Sequence, residues 1–169
     1  PDTALPGLVN EISQICETVI QHLEDQGHTV KHLRGAVGSF DQKLRELISK
    51  TTGKAALKDL IPQAIAQTVD GSAQKNELRK EFDLFEEALK GFQFAVTQPY
   101  YRVPERKKKG GGLFTINVNP YTCKGCMECV AVCNDKALIT VPQTEETIAQ
   151  MKKNWDLWIK LPTTPKKYI

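Results

Sequence analysis

The stretch LFTINVNPYTCKGCMECVAVCNDKALITV, residues 113–141, decides how the fold is read. Its opening, Leu113-Phe114-Thr115-Ile116-Asn117-Val118, alternates polar and apolar side chains with the period of two expected of a short strand. Its end, Ala137-Leu138-Ile139-Thr140-Val141, reads as a second strand. Between them Cys123, Cys126, Cys129 and Cys133, spaced C-x2-C-x2-C-x3-C, place four of the chain's 5 cysteines on one short segment.

Three chemistries compete for these thiols. Disulfides are the weakest, because neighbouring thiols on one tight turn do not reach disulfide geometry with one another. Zinc is also poor, since a structural zinc site draws two close pairs from separated knuckles. An iron-sulfur cubane suits the spacing best: three thiolates from one loop bind it, and a fourth ligand arrives from elsewhere in the sequence. Gly125 gives the backbone freedom to wrap around inorganic sulfur, and Met127, Val130, Val132, Ile116 and Ile139 are candidates for an apolar shell. In this spacing the fourth cysteine, Cys133, normally serves a different cluster from the first three. The remaining cysteine, Cys16, sits on an apolar helical stripe and reads as a small buried hydrophobe. The chain is thus expected to need further cysteines from outside its 169 residues, most simply from a segment before Pro1.

Upstream, the periodicity changes to that of helices. Residues 5–24 carry Leu8, Val9, Ile12, Ile15, Cys16, Val19 and Leu23 on one stripe, with Pro6 suited to the first turn. A second stripe runs Val30, Leu33, Val37, Phe40, Leu44, Leu47, where Gly35 and Gly38 allow a break. After the turn Thr51-Thr52-Gly53 a third carries Leu57, Leu60, Ile61, Ile65 and Val69, with Pro62 as a kink. A fourth carries Leu78, Phe82, Phe85, Leu89 and Phe92. Four such stripes joined by short turns predict an antiparallel bundle over residues 1–97. Residues 98–112, with Glu105-Arg106-Lys107-Lys108-Lys109 and Gly110-Gly111-Gly112, read as an exposed flexible linker, or as a docking patch for an acidic partner. Thr144 is suited to cap a last helix that buries Ile148, Met151, Trp155 and Trp158 within residues 143–169.

The run FTINVNPYTCKGCMECVAVCNDKAL, residues 114–138, resembles the second half of the two-cluster ferredoxin domain of pyruvate:ferredoxin oxidoreductases and related 2-oxoacid:ferredoxin oxidoreductases. The tail, with Lys160-Leu161-Pro162 and Thr164-Pro165-Lys166, looks similar to that family's passage to its thiamine-diphosphate domain. The resemblance implies an α+β chain: an N-terminal antiparallel helical bundle, here an insertion, then a ferredoxin-like iron-sulfur half-module over 113–142 and a C-terminal helix. It further implies that Cys123, Cys126 and Cys129 hold one 4Fe-4S cluster and that Cys133 contributes to its neighbour. Asn134 departs from the family's proline after the fourth cysteine and restores a backbone N–H there.

By the same resemblance the parent enzyme uses thiamine diphosphate, Mg and coenzyme A to decarboxylate a pyruvate-type 2-oxoacid, as a homo-oligomer, and passes electrons to ferredoxin or flavodoxin. This segment would relay electrons without substrate chemistry of its own. A free-standing or subunit-type ferredoxin carrier with a helical docking domain is the alternative. No acid-base constellation stands out: His22, His28 and His32 read as a solvated helical face, and Glu81, Glu86 and Glu87 as bundle surface, with Lys80 and Lys90 in reach for ion pairs. A net charge of +3 is too small to argue for nucleic acid, and no apolar run approaches the ~20 residues of a membrane span. A cluster chemistry without disulfides fits a reducing compartment, hence a cytoplasmic protein. Pro1 in place of Met, and a tail open-ended at Ile169, read as the ends of a segment of something longer.

Overall fold

Two strands far apart in the sequence organise the computed structural model, which describes residues 7–51 and 57–168. β1 (Gly7–Glu11) pairs antiparallel with β2 (Gly112–Ile116) in the register Gly7↔Ile116, Val9↔Phe114 and Glu11↔Gly112. The stripe expected to be helical from residue 5 therefore starts as strand, and α1 (Ile12–Asp25) follows at once. Leu8 and Val9 fit helical spacing. Ladder hydrogen bonds and the burial of Val9 outweigh a local preference of about 0.5 kcal/mol per residue. Along the far edge of β2, Ala95 and Phe114 exchange two backbone hydrogen bonds, of 2.7 and 3.0 Å.

Three further long helices follow α1: α2 (Lys31–Lys50), α3 (Leu57–Asp70) and α4 (Lys75–Leu89). α2 buries Leu33, Phe40, Leu44 and Ile48 on one side and passes unbroken through Gly35 and Gly38, which face open space. Packing of that apolar side outweighs the helix cost of two glycines, about 1 kcal/mol each. α3 likewise continues through Pro62. At the centre Phe40, Phe82 and Phe85 meet pairwise, with centroids 5.6 to 6.0 Å apart in tilted and edge-on contacts. The expected positions at Pro1, Pro6, Thr52, Gly53 and Ile169 lie outside the described residues.

One carboxylate changes sides relative to the sequence reading. Glu81 of α4 is buried, not on the bundle surface. One of its oxygens lies 2.7 Å from Nδ1 of His32, and the other accepts the backbone N–H of Leu33 at 2.6 Å. No side chain of α2's own N-terminus caps it, so Glu81 supplies an acceptor for a donor that has no intrahelical partner. Glu81→Ala is expected to destabilise the protein by about 2 kcal/mol. The check is a lower urea midpoint at unchanged m-value; an unmoved midpoint would contradict the capping role.

The stretch 98–112 is packed rather than free. A π-helical turn at Gln98–Arg102 leads into the short α5 (Val103–Arg106). Tyr101 is buried, and the Arg102 guanidinium donates to the carbonyls of Ile48 and Thr51 at the end of α2. Glu105 pairs with Arg45 and accepts the Gly111 N–H at 2.6 Å. A Cβ on Gly111 would stand 2.8 Å from the Tyr101 carbonyl oxygen and 2.9 Å from its ring, and one on Gly112 2.4 Å from Val9. Gly111→Ala is expected to cost about 1–3 kcal/mol by overpacking. A flexible connector would accept alanine freely, so a thermal midpoint equal to wild type would refute the packed arrangement.

The expected fold class is corrected on these grounds. The helices are present, but residues 113–142 form no ferredoxin-like half-module behind a separate bundle. β2 takes its partner from the N-terminal β1, and the described residues hold seven α-helices and one sheet of two strands. Ala137–Val141 forms no strand, because no described segment pairs with it. One hydrophobic core joins α1 to α4 with Tyr101, Leu113 of β2, and Leu157, Trp158 and Leu161. The last helix, α7 (Glu145–Trp158), starts at the predicted cap: Thr144 Oγ1 accepts the Thr147 N–H and Thr147 Oγ1 accepts the Thr144 N–H. It closes on α4 through Asn154, seated where a Gly91 side chain would be, and on α1 through Lys160, 3.0 Å from Asp25. No helix among the described residues is long and apolar enough to cross a membrane.

Candidate metal centre

From the end of β2 the chain leaves the core and turns on its own asparagines. The Asn119 side chain accepts the Tyr121 N–H at 3.0 Å, an Asx turn, and the Asn119 carbonyl accepts the Cys123 N–H at 3.0 Å. Gly125 (φ 65°) and Met127 (φ 64°) are both left-handed, which curls the segment around Cys126 before the four-residue α6 (Glu128–Ala131). Left-handed backbone comes free to glycine and costs methionine about 1–2 kcal/mol, so the Met127 turn must be held by its neighbours. The Thr140 hydroxyl lies 3.3 Å from the Met127 sulfur, and the Met127 carbonyl accepts the N–H groups of Val130 and Ala131.

All four cysteines of the run are free thiols. Cys123, Cys126 and Cys129 are exposed and Cys133 is half-buried. The Ala137 N–H points at Cys133 Sγ from 3.2 Å, the kind of contact that stabilises negative charge on sulfur. Cys16 is separate in every respect: it lies in the core between apolar side chains, and burial pushes its thiol far up the pH scale.

The residues fit a sulfur-bound iron cluster in donor type and accessibility. Among the described residues, however, no three His, Cys, Asp or Glu side chains stand together closely enough to hold a single metal ion. The apolar shell expected from the sequence is not closed either. Val132 and Ile139 are 76% and 74% exposed, and Tyr121, Met127 and Val141 also face solvent, while Ile116 and Val130 are half-buried.

His28 is exposed, and His32 is occupied by Glu81. His22 Nδ1 lies 3.0 Å from the Lys160 ammonium; partial burial and that charge together lower its pKa. Glu87 pairs with Lys90 on the solvent side, as the spacing predicts, whereas Glu86 pairs with Arg79, two turns away on the same helix, rather than with a lysine. Sequence reasoning missed Glu81 and Glu105, because both act on groups about fifty or more residues away in the chain, or across a turn, and leave no local pattern. No protein-family model, curated protein or solved structure matches this chain.

Proposed function

We propose that this chain is the electron-relaying segment of a 2-oxoacid:ferredoxin oxidoreductase of the pyruvate type. Cys123, Cys126 and Cys129 would hold one 4Fe-4S cluster, and Cys133 would serve a second whose other ligands come from outside these residues. When bound, such a cluster supplies reversible one-electron transfer. The observation that carries the reading is the state of residues 121–141: four free thiols at cluster spacing, surrounded by side chains whose apolar surface is left uncovered. A monomeric protein rarely leaves neighbouring large apolar side chains this exposed, and a complementary surface bringing the missing cysteines would cover them.

The residues have separable tasks under this reading. Gly125 lets the backbone approach inorganic sulfur without a side chain in the way; nothing lies within 4 Å of the position its Cβ would take. The Ala137 N–H, 3.2 Å from Cys133 Sγ, would donate a hydrogen bond to that sulfur. The rigid core supports the loop through β2, whose Leu113 is fully packed. Substrate chemistry on thiamine diphosphate, Mg and coenzyme A would belong to other parts of the enzyme, with ferredoxin or flavodoxin as the acceptor.

The test is turnover by the full-length polypeptide purified without oxygen. Pyruvate, coenzyme A and thiamine diphosphate together should reduce a viologen dye, and omission of any one should stop it. Dye reduction only from added reductant, with no response to any 2-oxoacid, would replace the enzyme by the carrier reading.

A further inference from the structure

Lysines that the sequence places at two distant points share one surface in the fold. The 3-10 turn Lys166–Tyr168 lies on the hairpin that follows α5: the Tyr168 hydroxyl donates to the Gly110 carbonyl at 3.0 Å, and the Lys167 ammonium donates to the Lys109 carbonyl at 3.3 Å. This brings Lys166 and Lys167 beside Arg106, Lys107, Lys108 and Lys109, all exposed. Lys167 is paired with Glu11. For Arg106, Lys107, Lys108, Lys109 and Lys166, no carboxylate among the described residues is within ion-pair distance. The backbone beneath them is fixed by Glu105, Gly111 and Arg102, so these charges are displayed on a firm base and not on a wandering linker.

We infer that these six cations form a docking surface for an acidic protein that binds transiently. Charge without an apolar centre favours fast, salt-sensitive encounter over a permanent contact. The exposed apolar side chains of 121–141 have the opposite character, that of a lasting interface. A second copy placed symmetrically would set the same cations against each other, which like charge disfavours. Nucleic acid is the poorer fit: Tyr100 and Tyr168 beside the patch are engaged with Phe114 and with each other, leaving no free stacking platform, and Glu11 lies within it. β2, about 14 Å long at 3.4 Å per residue, links the turn that carries the patch to the segment that leads to the cysteines. Identification of the partner as an acidic electron carrier rests on the electron-transfer reading; the surface itself does not.

The experiment measures association of the intact polypeptide with a small acidic ferredoxin, oxidised so that no electron need pass, between low and high salt. The association rate should fall steeply with salt, and the triple variant Lys107→Glu, Lys109→Glu, Lys166→Glu should lower it at least about tenfold. The same three positions changed to Gln should give an intermediate rate. An equal charge change on the bundle, Lys31→Glu, Lys50→Glu, Lys80→Glu, should leave it within about twofold of wild type, allowing for the change in net charge. No association, a rate indifferent to the patch variants, or tighter patch-dependent binding to single-stranded RNA or anionic vesicles would overturn the inference. Iron and sulfide assayed on the same sample decide the electron-transfer reading separately.

Discussion

Cys126→Ala is expected to remove the cluster and with it all electron delivery. Cys126 lies between the two left-handed residues that shape the turn, so no neighbouring thiol can take its place without rebuilding the segment. Iron retained after anaerobic purification should fall by at least about tenfold, since even loss of a supporting contact to a metal ligand costs about 10–100-fold in affinity. Thermal stability should change little, because the side chain is exposed and makes no core contact. Cys16→Ala serves as the counterpart. It should lower stability through the core it leaves underfilled and leave iron content unchanged. Full iron and an unaltered paramagnetic signal in Cys126→Ala would remove Cys126 from the ligand set.

Leu157→Ala is expected to cost about 2–5 kcal/mol and to do so in a single cooperative transition. Leu157 is 1% exposed and belongs to α7, yet it lies in the same core as Phe82 and Ile20 of the preceding helices. If α7 were the end of an independent module, its loss would leave the bundle's transition in place and split the unfolding curve in two. Calorimetry decides the matter, with one lowered peak expected, and a bundle peak at the wild-type temperature would contradict the shared core.

How far the chain could be read from its letters depended on the range of each interaction. Helices α1 to α4 and α7 follow from side chains three and four apart, and the stripes place Ile12, Leu33, Phe82 and Trp158 in the core, while Ile20, Ile48 and Leu157 are buried off those stripes and Val37 and Leu47, on them, are only partly covered. The Thr144 cap is equally local. β1 was illegible because its partner, residues 112–116, lies far away in the sequence, and the same residues satisfy helical spacing. Ala137–Val141 has strand composition, but a strand also needs a neighbour, and none of the described segments offers one. In β2 the alternation is present while its faces are not as simple as hydropathy suggests: Thr115 is buried, and Phe114 and Ile116 are only half-buried, because the sheet is covered on both sides. The glycines at 111 and 112 read as a hinge, yet their lack of a side chain admits Tyr101 and Val9.

For the candidate site the balance is different. The four thiols are legible from spacing alone, since ligand type and separation are properties of the sequence. Their surroundings are not, because spacing does not tell how far nearby apolar side chains are covered, and Val132 and Ile139 stand exposed. The same holds for the basic patch: half of its neighbourhood was visible in Arg106–Lys109, and the convergence of Lys166 and Lys167 depended on the Tyr168 and Lys109 contacts across the fold.

Elemental analysis of the full-length polypeptide, purified and assayed without oxygen, tests the central claim most directly. Iron and acid-labile sulfide in equal molar amounts, with negligible zinc and a brown colour bleached by reductant, is the predicted result. A colourless protein that carries zinc, or no metal at all, and yields no sulfide would contradict it.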